Sequence, residues 1–237
     1  MDIILIPGLW LTAPSWDSVA GGLEKAGHVP HALTLPGMHS PDGRRHGVTR
    51  QDHVDAVVAA VDAVDGGRPV LLVGHSMGGV LAWAAAAERL DRVSGVVFVA
   101  SEPAVPEQSA SMFPVVGDDV PLPPWGFFDD EMVADLDDDL RSRIRDEAVP
   151  SPVRAVTDGL SFDGGEGDRL HDLPVTMVTA EYDAAQLQQW VAAGESGTEE
   201  IARLRAVTWV DLHSGHWPQY SRVDDTVDAV LGAVLRA

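Results

Sequence analysis

Residues 70–90 read VLLVGHSMGGVLAWAAAAERL, and this stretch decides the fold. Val70 to Val73 form a continuous apolar run, the pattern of a strand buried on both faces. Val80 to Leu90, rich in Ala and Leu, reads as a helix. Between the two the chain must reverse within a few residues. Gly74 and Gly78 lack the Cβ atoms that would collide in so sharp a turn. Ser76 sits at the apex, either as a turn residue or as a nucleophile. A nucleophilic serine needs further groups, so the question passes to the rest of the chain.

Short apolar runs alternate with helical patterns along the whole length. The runs predict strands at Ile3 to Ile6, Val29 to Leu35, Val70 to Val73, Val93 to Ala100, Val175 to Ala180 and Val207 to Leu212. Helices are predicted near Pro14 to Ala26, Arg50 to Val64, Gly78 to Leu90, Ala184 to Ala193 and Pro218 to Leu235. Repeated strand–helix–strand units imply an α/β fold, a mainly parallel sheet with helices on both faces. One stretch breaks the alternation. From about 102 to 172 there is no strong strand, and Pro, Asp and isolated aromatics are frequent. Phe128, Met132, Leu136, Leu140 and Ile144 keep helical spacing there, which predicts a small helical cap over the strand ends. The alternative is an acidic helical decoration without a role in binding. The division expected is a single domain, with its core in 1–101 and 173–237 and the cap between them.

A chain of 237 residues is long enough for one sizeable core. Sixteen Lys and Arg against 37 Asp and Glu give a net charge of −21, which disfavours nucleic acid and anionic membranes as partners. There is no cysteine, so disulfides, thiolate metal sites and a Cys nucleophile are excluded. The opening MDIILIPGLWL lacks the basic region and cleavage site of a secretory signal. No run approaches the ~18 apolar residues of a membrane span. A soluble, cytoplasmic protein is the expectation.

Strand, then G-x-S-x-G, then helix is the context of a nucleophile elbow. There the serine hydroxyl stands above the carboxyl ends of the strands, and the N–H of Met77 can meet a developing negative charge. A serine is a poor nucleophile at neutral pH and needs a base. His28, His31, His39, His46 and His53 lie on early loops or helices. His75 adjoins Ser76, but its side chain should point away across the turn, and His171 reads as a surface residue. VDLHSGHWPQY, 210–220, follows the last strand, with His213 ending the strand and His216 in a Gly-containing loop. His216 is therefore the expected base. The base needs an acid to fix its tautomer, located between Ser and His in chain order. LPVTMVTAEYDAAQ, 173–186, offers Glu181 and Asp183; Asp183 is preferred because it sits deeper in the loop. Glu102, after the fourth strand, competes with it. Asp183 is also placed to cap the helix beginning at Ala184, and the two roles can coexist. In LIPGLW, 5–10, Gly8 permits close approach and Leu9 can supply a second backbone oxyanion donor.

Together, PGLW, EKAGHVPHALTLPG, GHSMGG, TAEYD and HSGHW resemble the α/β-hydrolase superfamily over nearly the whole chain. They are most similar to small esterases related to plant methyl-ester hydrolases and hydroxynitrile lyases. The resemblance implies Ser76, Asp183 and His216 as triad, Leu9 and Met77 as oxyanion donors, and six strands in the order 2-1-3-4-5-6. It also implies a cap entering after the fourth strand. Many relatives carry His where this chain has Pro7. The lyases carry Lys directly after the triad aspartate, where this chain has Ala184, which counts against lyase chemistry.

The expected function is hydrolysis of small neutral carboxylic esters through an acyl-enzyme on Ser76, with a small-molecule substrate and no cofactor. Trp10, Trp125, Phe128 and Trp217, with Phe127, are candidate walls of an apolar pocket. Asp211, His213 and His216 could imitate a metal cluster, but a triad base cannot also be a ligand. The alternatives are a lyase or cofactor-free oxygenase of the same fold, a ligand receptor with negligible turnover, or an interaction protein using the acidic segment.

Overall fold

A computed structural model describes residues 1–160 and 167–237 of the chain. Residues 161–166, part of the expected cap, lie outside the described residues.

The apolar runs become parallel strands: β1 (Asp2–Ile6), β2 (Val29–Ala32), β3 (Val70–His75), β4 (Val93–Val99), β7 (Val175–Thr179) and β8 (Val207–Asp211). They form one six-stranded sheet in the order β2-β1-β3-β4-β7-β8. β5 (Asp119–Val120) and β6 (Ser151–Pro152) pair antiparallel outside it, in the segment between β4 and β7.

Helices cover both faces because the central strands are apolar on both sides. Ile4, Ile6, Leu72 and Phe98 pack with α2 (Arg50–Ala63) and α3 (Met77–Glu88) on one face. Ile3, Leu5, Val73 and Val97 pack with α1 (Asp17–Lys25) and α8 (Val223–Val234) on the other. At ~25 cal/mol per Å² of buried apolar area, these two layers are the main source of stability.

Several boundaries move for local reasons. Pro14 opens a 3₁₀ turn, Ala13–Trp16, ahead of α1. The expected last helix divides into α7 (Pro218–Ser221) and α8, because Arg222 leaves helical geometry at φ −130 and ψ 51. Helical spacing over 128–144 also overstates the regularity of that segment. Asp129 and Asp137 start separate elements, a 3₁₀ turn at Asp130–Val133 and α4 (Asp138–Glu147). The Asp137 carboxylate accepts the Leu140 N–H, which sets where α4 begins. α5 (Val153–Thr157) and α6 (Ala184–Ala193) complete the described helices up to α7.

The segment between β4 and β7 is anchored by an apolar cluster of its own. Phe128, Val133, Leu136 and Ile144 from that segment pack on Trp10, Leu11, Trp217 and Tyr220. Among the described residues, no helix is long and apolar enough to cross a membrane.

Candidate active site

The turn after β3 is as tight as its glycines suggest. A methyl group at Gly74 would run into the Gly78 carbonyl, and one at Gly78 into the Ile6 carbonyl. Ser76 occupies φ 52 and ψ −125, a left-handed backbone that costs a side chain of order 1–3 kcal/mol. It stands at the N-cap of α3, yet its hydroxyl makes no capping bond. The hydroxyl is instead 3.0 Å from Nε2 of His216. A serine that forgoes its cap in a strained backbone to meet an imidazole is not a simple turn residue.

His216 lies in the loop between β8 and α7. β8 is three strands from β3 in the sheet order, about 14 Å at ~4.8 Å per strand. Only a loop can bring its side chain over that span to Ser76. Its Nδ1 is hydrogen-bonded to a carboxylate oxygen of Glu181. That bond leaves Nε2 facing the serine, the order in which an imidazole accepts a hydroxyl proton.

Here the structure departs from the sequence expectation. Asp183 does not reach the imidazole. Its carboxylate accepts the Gln186 N–H at 2.7 Å and caps α6, the other role open to it. The D-x-x-Q spacing from Asp183 to Gln186 is a capping pattern and was the available signal. Asp211 reinforces the arrangement from β8, accepting the Ala184 N–H at 2.6 Å and the Thr179 hydroxyl at 2.5 Å. It tethers the loop that carries Glu181, and His213 is exposed just beyond β8.

Burial raises the Glu181 carboxyl, but the hydrogen bond and charge of His216 outweigh it, so its pKa lies below the ordinary value. Glu102 goes the other way. Burial and the repulsion of Glu181 push it up to about 7, with His216 opposing. Two carboxyl groups facing one imidazole therefore differ in ionisation.

Leu9 and Met77, the expected oxyanion donors, lie close together. Both line a cavity of about 10 Å³ that also borders Gly8, Leu35, Met38 and His53. Met77 is the first residue of α3, so its N–H has no intrahelical acceptor.

The four aromatic residues expected to wall a pocket are placed differently. Trp10 meets Phe128 at 5.9 Å between ring centroids, and Trp217 meets Trp125 at 5.5 Å and Phe128 at 5.3 Å. They interlock with one another where the β4–β7 segment joins the body, and none lines the cavity beside Leu9 and Met77. Trp217 also packs edge-on against His216, with 5.1 Å between ring centroids.

Two contacts of His216 carry no sequence signal. Its N–H donates to the Met132 carbonyl at 2.8 Å. Its carbonyl accepts from Nε2 of His75 at 2.6 Å. The side chain of His75 does turn away from Ser76, as expected, but towards the base.

A strand–elbow–helix serine facing a histidine across a parallel sheet defines an α/β hydrolase. The family model described as "Alpha/beta hydrolase family" matches residues 3–229, and the chain belongs to this family. A pyrethroid hydrolase of Sphingobium wenxiniae is 32% identical over 118 residues, which are 49% of this chain and 41% of that protein. The chain thus matches less than half the length of that relative. Among solved structures, an extracellular α/β-hydrolase from a Paenibacillus species, titled as sharing homology with tobacco salicylic acid binding protein 2, superposes with TM-score 0.77. It is 21% identical over 98% of both chains. The Arabidopsis methylesterase MES16 gives TM-score 0.74 at 14% identity, with full coverage of both chains. At these identities the two structures establish the fold.

Proposed function

We propose that this chain is a carboxylic ester hydrolase that works through an acyl-enzyme on Ser76. The observation that carries the reading is the 3.0 Å approach of Ser76 Oγ to a His216 whose other nitrogen is held by Glu181. The relatives named as a pyrethroid hydrolase and a methylesterase favour an ester substrate.

In this reading Ser76 Oγ attacks the ester carbonyl carbon as its proton passes to His216 Nε2. Glu181, acidic enough to stay ionised, stabilises the imidazolium and fixes its orientation. The backbone N–H groups of Leu9 and Met77 receive the oxyanion, each such donor being worth ~3–4 kcal/mol in comparable sites. The C–O bond of the tetrahedral intermediate then breaks, and His216 returns the proton to the departing alcohol. Water, deprotonated by the same imidazole, cleaves the acyl-enzyme and regenerates Ser76. Every step draws on this chain's own residues.

The substrate class follows from the surroundings. Leu35, Met38 and Leu81 border the same small void as Leu9 and Met77, and such apolar neighbours favour an uncharged group over a charged one. A net charge of −21 disfavours anionic esters. Small neutral esters are the best match.

The test is labelling with a fluorophosphonate, alongside turnover of p-nitrophenyl butyrate. Wild type should be labelled at Ser76, and Ser76→Ala should lose both labelling and turnover, the latter by about six orders of magnitude as for other serine hydrolases. Labelling that persists in Ser76→Ala refutes the assignment.

A further inference from the structure

Taking His216 as the base, as proposed above, leaves open what holds its main chain in place. Residues between β8 and α7 belong to no strand or helix that would fix His216 by regular hydrogen bonding. Both main-chain polar groups of His216 are nevertheless satisfied, and from opposite sides. The Met132 carbonyl takes its N–H from the β4–β7 segment. The His75 side chain donates to its carbonyl from the end of β3, one residue before Ser76.

We propose that His75 is a positioning residue for the base: its Nε2–H, donated to the His216 carbonyl, ties the base's main chain directly to the strand that carries the nucleophile. Ser76 and His75 leave the same strand end on different sides. One approaches the reacting nitrogen of His216 and the other its backbone. The span from elbow to base is thereby set by one short covalent stretch and two hydrogen bonds, at 3.0 and 2.6 Å.

The chemistry of the ring supports this role over simple packing. A carbonyl oxygen can only accept, so Nε2 of His75 must carry the proton and Nδ1 must be bare. Nδ1 is buried without a hydrogen-bond partner. A fully buried imidazole with one orphaned nitrogen is costlier than an apolar residue of similar size unless its remaining bond matters. Trp16 packs edge-on against the ring, with 6.5 Å between centroids. Neutrality matters as well. The His75 ring lies 5.1 Å from that of His216, and a charge on it would oppose the imidazolium. Burial first, and then the charge of His216, push His75 down to about 3, so its ring stays neutral near neutral pH.

The neighbouring loop is fitted to the same clamp. A methyl group at Gly215 would strike the Met132 carbonyl and the Asp135 carboxylate. Asp135 in turn accepts the Ser221 hydroxyl at 2.6 Å, holding the end of α7, the short helix that follows the loop. The β4–β7 segment thus meets the chain both before His216, at Gly215, and after it, at the end of α7.

His75→Leu and His75→Gln separate positioning from packing. Leu fills the space without a donor, whereas the Gln amide can place an N–H where Nε2–H stands. With p-nitrophenyl butyrate, His75→Leu should lose about 100-fold in kcat, the cost of a displacement of ~1 Å, with KM within about threefold of wild type. His75→Gln should recover kcat to within about fivefold of wild type. Active wild type with a folded His75→Leu of unchanged kcat overturns the positioning role. So does a His75→Gln as impaired as His75→Leu at equal Tm. Wild type that neither turns over the ester nor takes a fluorophosphonate on Ser76 fails the hydrolase reading, and this proposal with it. Should the variants not fold, ¹⁵N NMR of wild-type imidazoles decides. A His75 ring that is Nε2-protonated and does not titrate between pH 5 and 9 supports the proposal, whereas an Nδ1–H tautomer or a titrating ring overturns it.

Discussion

The loops that leave β4 and β7 make a natural comparison. The two strands are neighbours, with Val99 opposite Val178, and each loop carries a glutamate three residues beyond that pair. Glu102 and Glu181 are thus placed alike at one end of the sheet, both facing His216. Only Glu181 bonds to the imidazole. Strand order explains the difference: β7 adjoins β8, from which His216 arrives, and β4 is one strand further away. Ion pairing with His216 keeps the nearer carboxyl acidic, whereas burial beside that carboxylate keeps the farther one protonated to about neutral pH. Equal register does not make equal chemistry. The partner that completes a site selects between otherwise matched residues.

The largest expected effect lies on the nearer side. Glu181→Gln should lower kcat by about 10⁴-fold, because an amide favours the wrong tautomer of the base. Glu102→Gln should change kcat by less than about tenfold. A crippled Glu102→Gln beside an active Glu181→Gln reverses the comparison and moves the acid to β4.

A smaller effect concerns stability against pH. The Glu102 carboxyl is raised in the folded chain, so folding favours its protonated form. The stability it contributes is fully present below the unfolded carboxyl pKa of about 4.3 and is lost as pH rises through about 7. Gln remains neutral throughout. Between pH 4.5 and pH 8, Glu102→Gln should therefore gain about 3 kcal/mol relative to wild type. Urea unfolding at the two pH values measures it, and a difference that does not move with pH sinks the account of Glu102.

The smallest effect sharpens the contrast within the β7 loop. Asp183→Ala should keep kcat within about threefold of wild type and lose about 1 kcal/mol of stability, the usual value of an N-cap. Paired thermal melts and kinetics would show it. A drop of several orders in kcat with unchanged stability would return Asp183 to the site.

Much of this was legible in the residues. The apolar run at Val70–Val73, the glycines at 74 and 78 and the following Ala-rich helix anticipate β3, the elbow and α3. The position of His216 beyond the last strand placed it where a loop could return to Ser76, and it does. The β4–β7 segment was harder. Its apolar residues keep a helical spacing, but a 3₁₀ turn and α4 form as separate elements, and the Asp137 side chain caps α4 at a point that periodicity does not mark. The aromatic residues were expected as pocket walls. Composition could not tell a pocket wall from the interlocked cluster that they form at the junction of that segment with the body.

What the sequence determined by itself was the layered sheet, the tight serine turn and the histidine that meets it, because each is written in local pattern: burial period, glycines at a turn, a histidine past a strand. Tertiary structure decided between Glu181 and Asp183, two acids in one loop with similar local credentials. That choice was made by groups distant in sequence. Asp211 on β8 holds the Ala184 N–H, the first turn of α6 takes the Asp183 carboxylate, and His216 crosses the sheet to Glu181. The same holds for His75, whose bond to a backbone carbonyl 141 residues away leaves no local trace. A side chain's direction is fixed by the hydrogen bonds that remain unmet once the strands are in register, and strand register belongs to the whole sheet.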